Sequence, residues 1–183
     1  MEQLSNDCFF DETAELKPIG RKLSWLLLVL YFIAICYMCF CPQHTIRGVQ
    51  TPNIQHFGRL VILPVPFNSL FSLGHLSNLL KLIWVFGQNV VNIFLLFPLV
   101  LQVLLLFPNL RNKKKILLFS FCLSLSIECT QLLLDFFFDV NRVFEIDDLW
   151  TNSLGGLLAF YCHLFIQKKI RAYYQQKSQS GKV

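Results

Sequence analysis

The chain has 183 residues, 55% of them hydrophobic and only 15% charged, with a formal net charge of +5. A soluble domain carries about 25% charged residues. The composition therefore excludes most water-soluble folds, and it leaves little of the chain for a second, soluble domain.

Four segments, of 19, 29, 19 and 18 residues, contain no charged residue and account for the low charge content. At about 1.5 Å per helical residue, each approaches or crosses a hydrocarbon core of roughly 30 Å. The predicted spans cover about residues 23–41, 82–107, 116–138 and 148–166. The first is predicted to be an uncleaved anchor, since no small-x-small cleavage site follows it. Pro98 is expected to kink the second.

The cations indicate how the chain is oriented, because Lys and Arg are retained on the cytoplasmic side of short loops. With the N-terminus inside, 12 of the 16 cations lie on inner segments. They are Lys17, Arg21, Lys22, Arg111, Lys113, Lys114, Lys115, Lys168, Lys169, Arg171, Lys177 and Lys182. We therefore expect an all-α, four-helix transmembrane bundle with both termini cytoplasmic: an amino-terminal segment 1–22, a membrane domain 23–167 and a basic tail 168–183. This distribution accounts for the positive charge without a nucleic-acid partner.

A connection of about 40 residues joins the first two spans on the outer side, and it contains the apolar stretch LVILPVPFNSLFSLG. Pro64, Pro66 and Gly74 break this stretch, so it is too short and irregular for a fifth span. Irregular backbone at membrane depth has to be buried in protein. The stretch is expected to lie in the outer interface or to fold back against the bundle; an apolar surface loop is the alternative.

Cysteine and histidine give no sign of a metal site, a disulfide framework or a cofactor. Six of the seven cysteines lie in or beside apolar helices, where Cys acts as a small hydrophobe. The four histidines have no ligand spacing.

The acidic residues are unevenly distributed along the chain: six of the eleven lie between Glu128 and Asp148. Glu128 falls about halfway along the third span, where an unpaired carboxylate costs on the order of 3 kcal/mol or more. Ser124, Glu128, Gln131 and Asp135 follow at i, i+4, i+7 and i+11, on one helix face. This spacing predicts a polar stripe that faces the bundle interior.

Two other spans carry comparable stripes. The fourth presents Asp148, Asn152, the glycines at 155 and 156, Ala159 and His163, and the second presents Gln88, Asn92 and Gln102. Gly155 and Ala159 form a small-xxx-small pair that permits close helix approach. The three stripes are expected to face one another.

Arg142 lies in the outer turn between the third and fourth spans, among Asp139, Glu145, Asp147 and Asp148. Its guanidinium group can pair with one of these carboxylates or bind an anionic head group. A solvated charged turn with an acidic N-cap is the alternative. Together with Glu128, Gln131 and Asn152, this turn predicts a polar pocket open to the outer face.

The run SLSIECTQ, followed by RVFEIDDLWTNSLGGLLA, resembles the signature of the VanZ-like membrane proteins. VPFNSL resembles the Pro-Phe element of that family, and NIFLLFP resembles its Asn-to-Pro element. Glu145, Ala159 and Val100 depart from the usual Asp, Gly and Gly.

The resemblance points to a polar set and a structural set of residues. The polar set is Asn92, Glu128, Gln131, Arg142, Asp147, Asp148 and Asn152, and the structural set is Pro66, Phe67, Pro98, Gly155 and Gly156.

The function that the resemblance implies is low-level resistance to glycopeptides such as teicoplanin, through a change in the bacterial cell surface or in antibiotic access. The expected partners are membrane lipids and a lipid-linked envelope component or lipophilic glycopeptide, and a homodimer is left open. A membrane enzyme acting on an envelope lipid, with Glu128 as acid or base, is the alternative. A transporter is a third hypothesis, and polar stripes that only hold the helices together are a fourth.

Overall fold

Four long helices form the protein, according to a computed structural model that describes residues 9–42, 53–68 and 79–180. They are α1 (Pro18–Phe40), α2 (Leu79–Leu106), α3 (Lys113–Phe138) and α4 (Ile146–Ser180). All four are long and apolar enough to cross a membrane. The predicted all-α membrane bundle is therefore confirmed, and α4 continues well beyond the predicted end of its span at residue 166.

Local sequence determines where the helices begin and end. Pro18 opens α1 at a position where a missing N–H costs nothing. The Asn112 side chain accepts from the backbone N–H groups of Lys114 and Lys115 at the start of α3. Asp139 ends α3 in the left-handed conformation. Pro98 lies inside α2, which continues on both sides of it.

The core lies where α2, α3 and α4 meet, and α2 and α4 make the most extensive helix contact. Leu96, Val100, Leu104, Ile116 and Ala159 are fully buried there. Two side-chain hydrogen bonds attach α1 to α2. Ser24 Oγ donates to Gln102 Oε1 at 2.5 Å, and Tyr31 Oη donates to the Leu95 carbonyl at 2.9 Å.

A small three-stranded sheet was not predicted from the sequence. It consists of β1 (Gln55–Phe57), β2 (Leu60–Leu63) and β3 (Val143–Glu145), in the order β1-β2-β3. β2 pairs antiparallel with β1 and parallel with β3, which follows α3. The described part of the apolar outer stretch therefore folds back against the bundle; residues 69–74 lie outside the described part of the chain.

The connection from α3 to α4 returns into the bundle. Glu145, the last residue of β3, donates its backbone N–H to Glu128 Oε2 at 3.1 Å. Glu128 lies ten residues before the end of α3, which corresponds to about 15 Å. The first turn of α4 therefore lies well below the outer end of α3.

At the opposite end, the described part of the amino-terminal segment packs against the bundle. Glu15 forms a bidentate ion pair with Arg111, which also donates to the Leu104 carbonyl at the end of α2. Tyr174 Oη, near the end of α4, donates to the Phe10 carbonyl at 2.7 Å. The described stretches nearest the two termini thus lie at the same end of the bundle, as an even number of spans requires.

The first prediction concerns Gly155, where a Cβ would lie 2.0 Å from the Ile93 carbonyl oxygen of α2. We expect Gly155→Ala to destabilise the fold by about 1–3 kcal/mol, as overpacking of helices does. The measurement is the unfolding midpoint of the purified protein in detergent.

Gly87→Ala is the matched control, since a Cβ at that helical glycine meets nothing within 4 Å. It is expected to retain or slightly raise the stability. Equal midpoints for the two variants would contradict the close α2–α4 contact.

Candidate functional site

Two acidic side chains from different helices meet near the start of α4, and we call Glu128 and Asp148 the carboxyl pair. Their carboxyl groups lie close enough to interact directly. Asn92 of α2 donates from Nδ2 to Asp148 Oδ1 at 2.5 Å. Three helices therefore contribute polar groups to one site.

One turn deeper, a second polar group joins α3 to α4. Asn152 Nδ2 donates to Ser124 Oγ at 2.9 Å, and Ser124 Oγ donates to the Asp148 carbonyl at 3.1 Å. Asn152 and Ser124 are both fully buried. This contact holds α3 against the helix that carries Asp148.

Asp147 attaches the outer segment to the site. Its Oδ1 accepts from the Phe67 backbone N–H at 2.6 Å and from Trp150 Nε1 at 2.9 Å. Phe67 has a φ of +56°, a left-handed conformation that is unusual for an aromatic residue, and its ring lies 5.3 Å from that of Trp150. Asp147 thus holds a strained turn over the first turn of α4.

Arg142 and Gln131 donate to the end of α1 and not to the carboxyl pair. The Arg142 guanidinium donates to the carbonyls of Cys41, at 2.7 and 3.0 Å, and of Met38, at 2.6 Å. Gln131 Nε2 donates to the Cys39 carbonyl at 3.0 Å. These carbonyls have no partner within the helix. The guanidinium therefore caps a helix, a role that neither sequence-based alternative for Arg142 included.

Asp135 supports this cap, because its Oδ1 accepts from the Arg142 backbone N–H at 2.9 Å.

The structure therefore divides the predicted polar set in two. Asn92, Glu128, Asp147, Asp148 and Asn152 surround the first turn of α4, whereas Gln131 and Arg142 bind α1. In the structural set, Gly155 and Gly156 pack against α2 and α3. Pro98 lies within α2, and Pro66 and Phe67 lie at the exposed rim.

Glu145 belongs to the site, although from the sequence it was only one candidate partner of Arg142 and a departure from the family pattern. Burial and the negative charges of Asp148 and Asp147 raise the pKa of Glu145 to about 8. This environment therefore favours the protonated form of Glu145 over the carboxylate. With Glu128, Asp147 and Asp148 it forms a group that we call the acidic cluster.

The described residues contain no group of three His, Cys, Asp or Glu side chains able to hold a metal ion. The chemistry that the acidic cluster offers is the exchange of protons and the acceptance of hydrogen bonds.

The second prediction concerns how the stability of the fold depends on pH, and it rests on Glu145. A carboxyl group with a raised pKa in the folded state stabilises the fold below its unfolded pKa, and that stabilisation is lost as pH rises through the folded value. Stability in detergent is thus expected to fall between about pH 5 and pH 8.

Glu145→Gln, which imitates the protonated side chain, is expected to flatten this dependence. Asp139→Asn, which removes an exposed carboxylate from the same outer connection, is expected to leave it unchanged. Parallel curves for Glu145→Gln and wild type would show that Glu145 does not titrate in this range.

A known protein family matches the part of the chain that contains the site. The family model described as VanZ/LLP1 matches residues 28–167, which include the whole of α2 and α3, parts of α1 and α4, and the acidic cluster. No curated protein matches, and no solved structure matches. Because the match covers well over half of the chain, the protein belongs to the VanZ/LLP1 family.

Proposed function

We propose that this protein is a multi-pass protein of the bacterial cell membrane, with both termini in the cytoplasm and the acidic cluster toward the outer face. The cation distribution supports this orientation. Arg111, Lys113 and Arg171 belong to the end of the bundle that holds the amino-terminal segment, whereas the acidic cluster lies in the other half.

In this position the protein binds a lipid or lipid-linked component of the envelope, and so alters the cell surface or the access of a lipophilic glycopeptide such as teicoplanin. The observation that carries this proposal is the acidic cluster, held in the outer half of the bundle beside the strained Phe67 turn. Backbone strain of this kind is concentrated at binding and catalytic sites. Exposed Phe67 and the exposed phenylalanines at the end of α3 provide an apolar rim for a lipidic ligand.

The third prediction tests this role in a teicoplanin-sensitive bacterium without its own copy of the gene. Wild type is expected to raise the minimal inhibitory concentration of teicoplanin and to reduce the labelled antibiotic bound at the cell surface. Asp147→Asn keeps an oxygen for Phe67 and Trp150 but alters the charge and the second oxygen of the cluster. It is expected to lose both effects.

Asp139→Asn is the matched control, and membrane levels of all variants are compared by immunoblot. Wild-type expression that changes neither the sensitivity nor the surface binding contradicts the proposal.

A second candidate function is a membrane enzyme that acts on an envelope lipid or lipid-linked precursor. The close approach of the buried Glu128 carboxyl group to that of Asp148 favours it, because a carboxyl group that exchanges a proton in an apolar setting is suited to acid or base catalysis. Glu128 is then the acid or base.

Glu128→Gln gives the fourth prediction, because Gln can accept from Glu145 and donate to Asp148 without exchanging a proton. Under the enzyme hypothesis, cells with wild type and with this variant differ in their lipid and peptidoglycan-precursor profiles by mass spectrometry. Identical profiles, at equal membrane levels, would reject catalysis by Glu128 and leave the binding role intact.

A further inference from the structure

Two buried hydrogen-bond acceptors at the acidic cluster have no donor among the described residues. Asp147 is 2% exposed and Asn152 is 1% exposed, yet Asp147 Oδ2 and Asn152 Oδ1 have no partner within the described chain. Asp135 Oδ2, also in the outer half, is in the same state. Each such atom carries a desolvation cost that a bound donor would remove. Ser120 Oγ and the two His163 ring nitrogens, farther along α3 and α4 from the cluster, also lack a partner in the part of the chain that the structure describes. At the cluster itself the two unpartnered atoms, Asp147 Oδ2 and Asn152 Oδ1, are acceptors, so a ligand that completes the site has to be a donor.

Four neighbouring side chains that carry N–H donors use them on other groups. The Arg142 guanidinium donates to carbonyls at the end of α1, and the Gln131 amide does the same. The Asn92 amide donates to Asp148 Oδ1, and the Asn152 amide donates to Ser124. These contacts leave Asp147 Oδ2 and Asn152 Oδ1 to a group from outside.

The negative charge of the acidic cluster further restricts which ligands it can bind. Glu128, Glu145, Asp147 and Asp148 interact with one another, and full ionisation of all of them in an apolar setting is strongly unfavourable. An anionic head group would add to this repulsion, whereas a cation would relieve it.

We propose that the acidic cluster binds the primary ammonium group of a lipid head group. An ammonium group combines one positive charge with three hydrogen-bond donors, which suits carboxylate and amide oxygens that lack donors. A quaternary ammonium group has the charge but no N–H, and it would leave Asp147 Oδ2 and Asn152 Oδ1 without a hydrogen bond. This inference rests on the proposed envelope-binding role and names the chemical class of its ligand.

A lipid is favoured as the carrier because of what surrounds the cluster. Phe67 is 45% exposed and Phe138 is 72% exposed, at the rim formed by the outer segment and the end of α3. Such side chains contact acyl chains and the head-group boundary in a membrane-spanning protein.

Ammonium and protons compete for the same oxygens. A bound ammonium stabilises the ionised carboxylates, so binding releases protons and the affinity rises with pH. The rise continues until the amine itself loses its proton, near pH 10 for an ordinary primary amine.

The fifth prediction tests this competition directly. The full-length protein in detergent is mixed with equimolar phosphatidylethanolamine, phosphatidylcholine and phosphatidylglycerol of identical acyl chains, and the retained lipids are counted by native mass spectrometry. Phosphatidylethanolamine is expected to be retained in preference to both others, and more strongly at pH 8 than at pH 6. Titration with ethanolamine alone distinguishes an amine that binds by itself from one that needs its lipid.

Asp147→Asn replaces the unpartnered oxygen by an N–H donor and preserves the acceptor for Phe67 and Trp150. It is expected to weaken phosphatidylethanolamine binding about tenfold or more, while Asp139→Asn retains wild-type binding. Glu145→Gln, expected to weaken binding and its pH dependence, is the second variant if Asp147→Asn does not fold.

Equal retention of ethanolamine and choline lipids, a preference for phosphatidylglycerol, or wild-type binding by the folded cluster variants would each overturn the assignment. Competition by sodium chloride as strong as that by ammonium chloride would also overturn it, in favour of a general cation site. Selective amine binding without any effect on teicoplanin would reject the resistance role alone, so the two failures are distinguishable.

Discussion

The hydrogen bond from the Glu145 backbone N–H to Glu128 places the start of α4 inside the bundle. The first N–H groups of a helix have no partner within it, and no water is available in the hydrocarbon region to supply one. Glu128 provides an acceptor at that depth, and acidic residues near a helix N-terminus also interact favourably with the helix dipole. A carboxyl group that would be costly beside lipid therefore gains a hydrogen bond from the segment that begins the helix.

This placement imposes a second requirement on the chain. The connection after α3 has to return from the outer end of the helix to Glu128, and its backbone groups need partners along the way. β3 obtains them from β2, with Val61 opposite Val143 and Leu63 opposite Glu145. The outer segment continues to Phe67, whose N–H binds Asp147. The small sheet, the strained turn and the deep helix start are thus consequences of one constraint.

The sequence predicts those features of the structure that depend on composition and on the spacing of polar and apolar residues. Long uncharged segments predicted the four helices, and the cost of a carboxylate inside a span identified Glu128. The sheet escaped detection because strands of three or four residues are too short for an alternating pattern. The partners of Arg142 were also hidden, since its nearest charges in sequence are acidic, whereas Met38 and Cys41 lie about 100 residues away. The reversal that directs Arg142 toward α1 depends on left-handed Asp139 and Asn141, which the sequence does not specify.

Several polar residues that hold helices together form hydrogen bonds with one another. Ser24 with Gln102, and Tyr31 with the Leu95 carbonyl, do this between α1 and α2. Arg111 likewise satisfies Glu15 and the end of α2.

At the acidic cluster, Asp147 and the adjacent Asn152 each use one side-chain atom to organise the fold and leave a buried oxygen without a donor from the described residues. Apolar side chains, or polar side chains with all their hydrogen bonds formed, would hold α3 against α4 at a lower cost in free energy. The retained acceptors therefore favour a site that exchanges a proton or binds a donor over one that serves only as a structural contact.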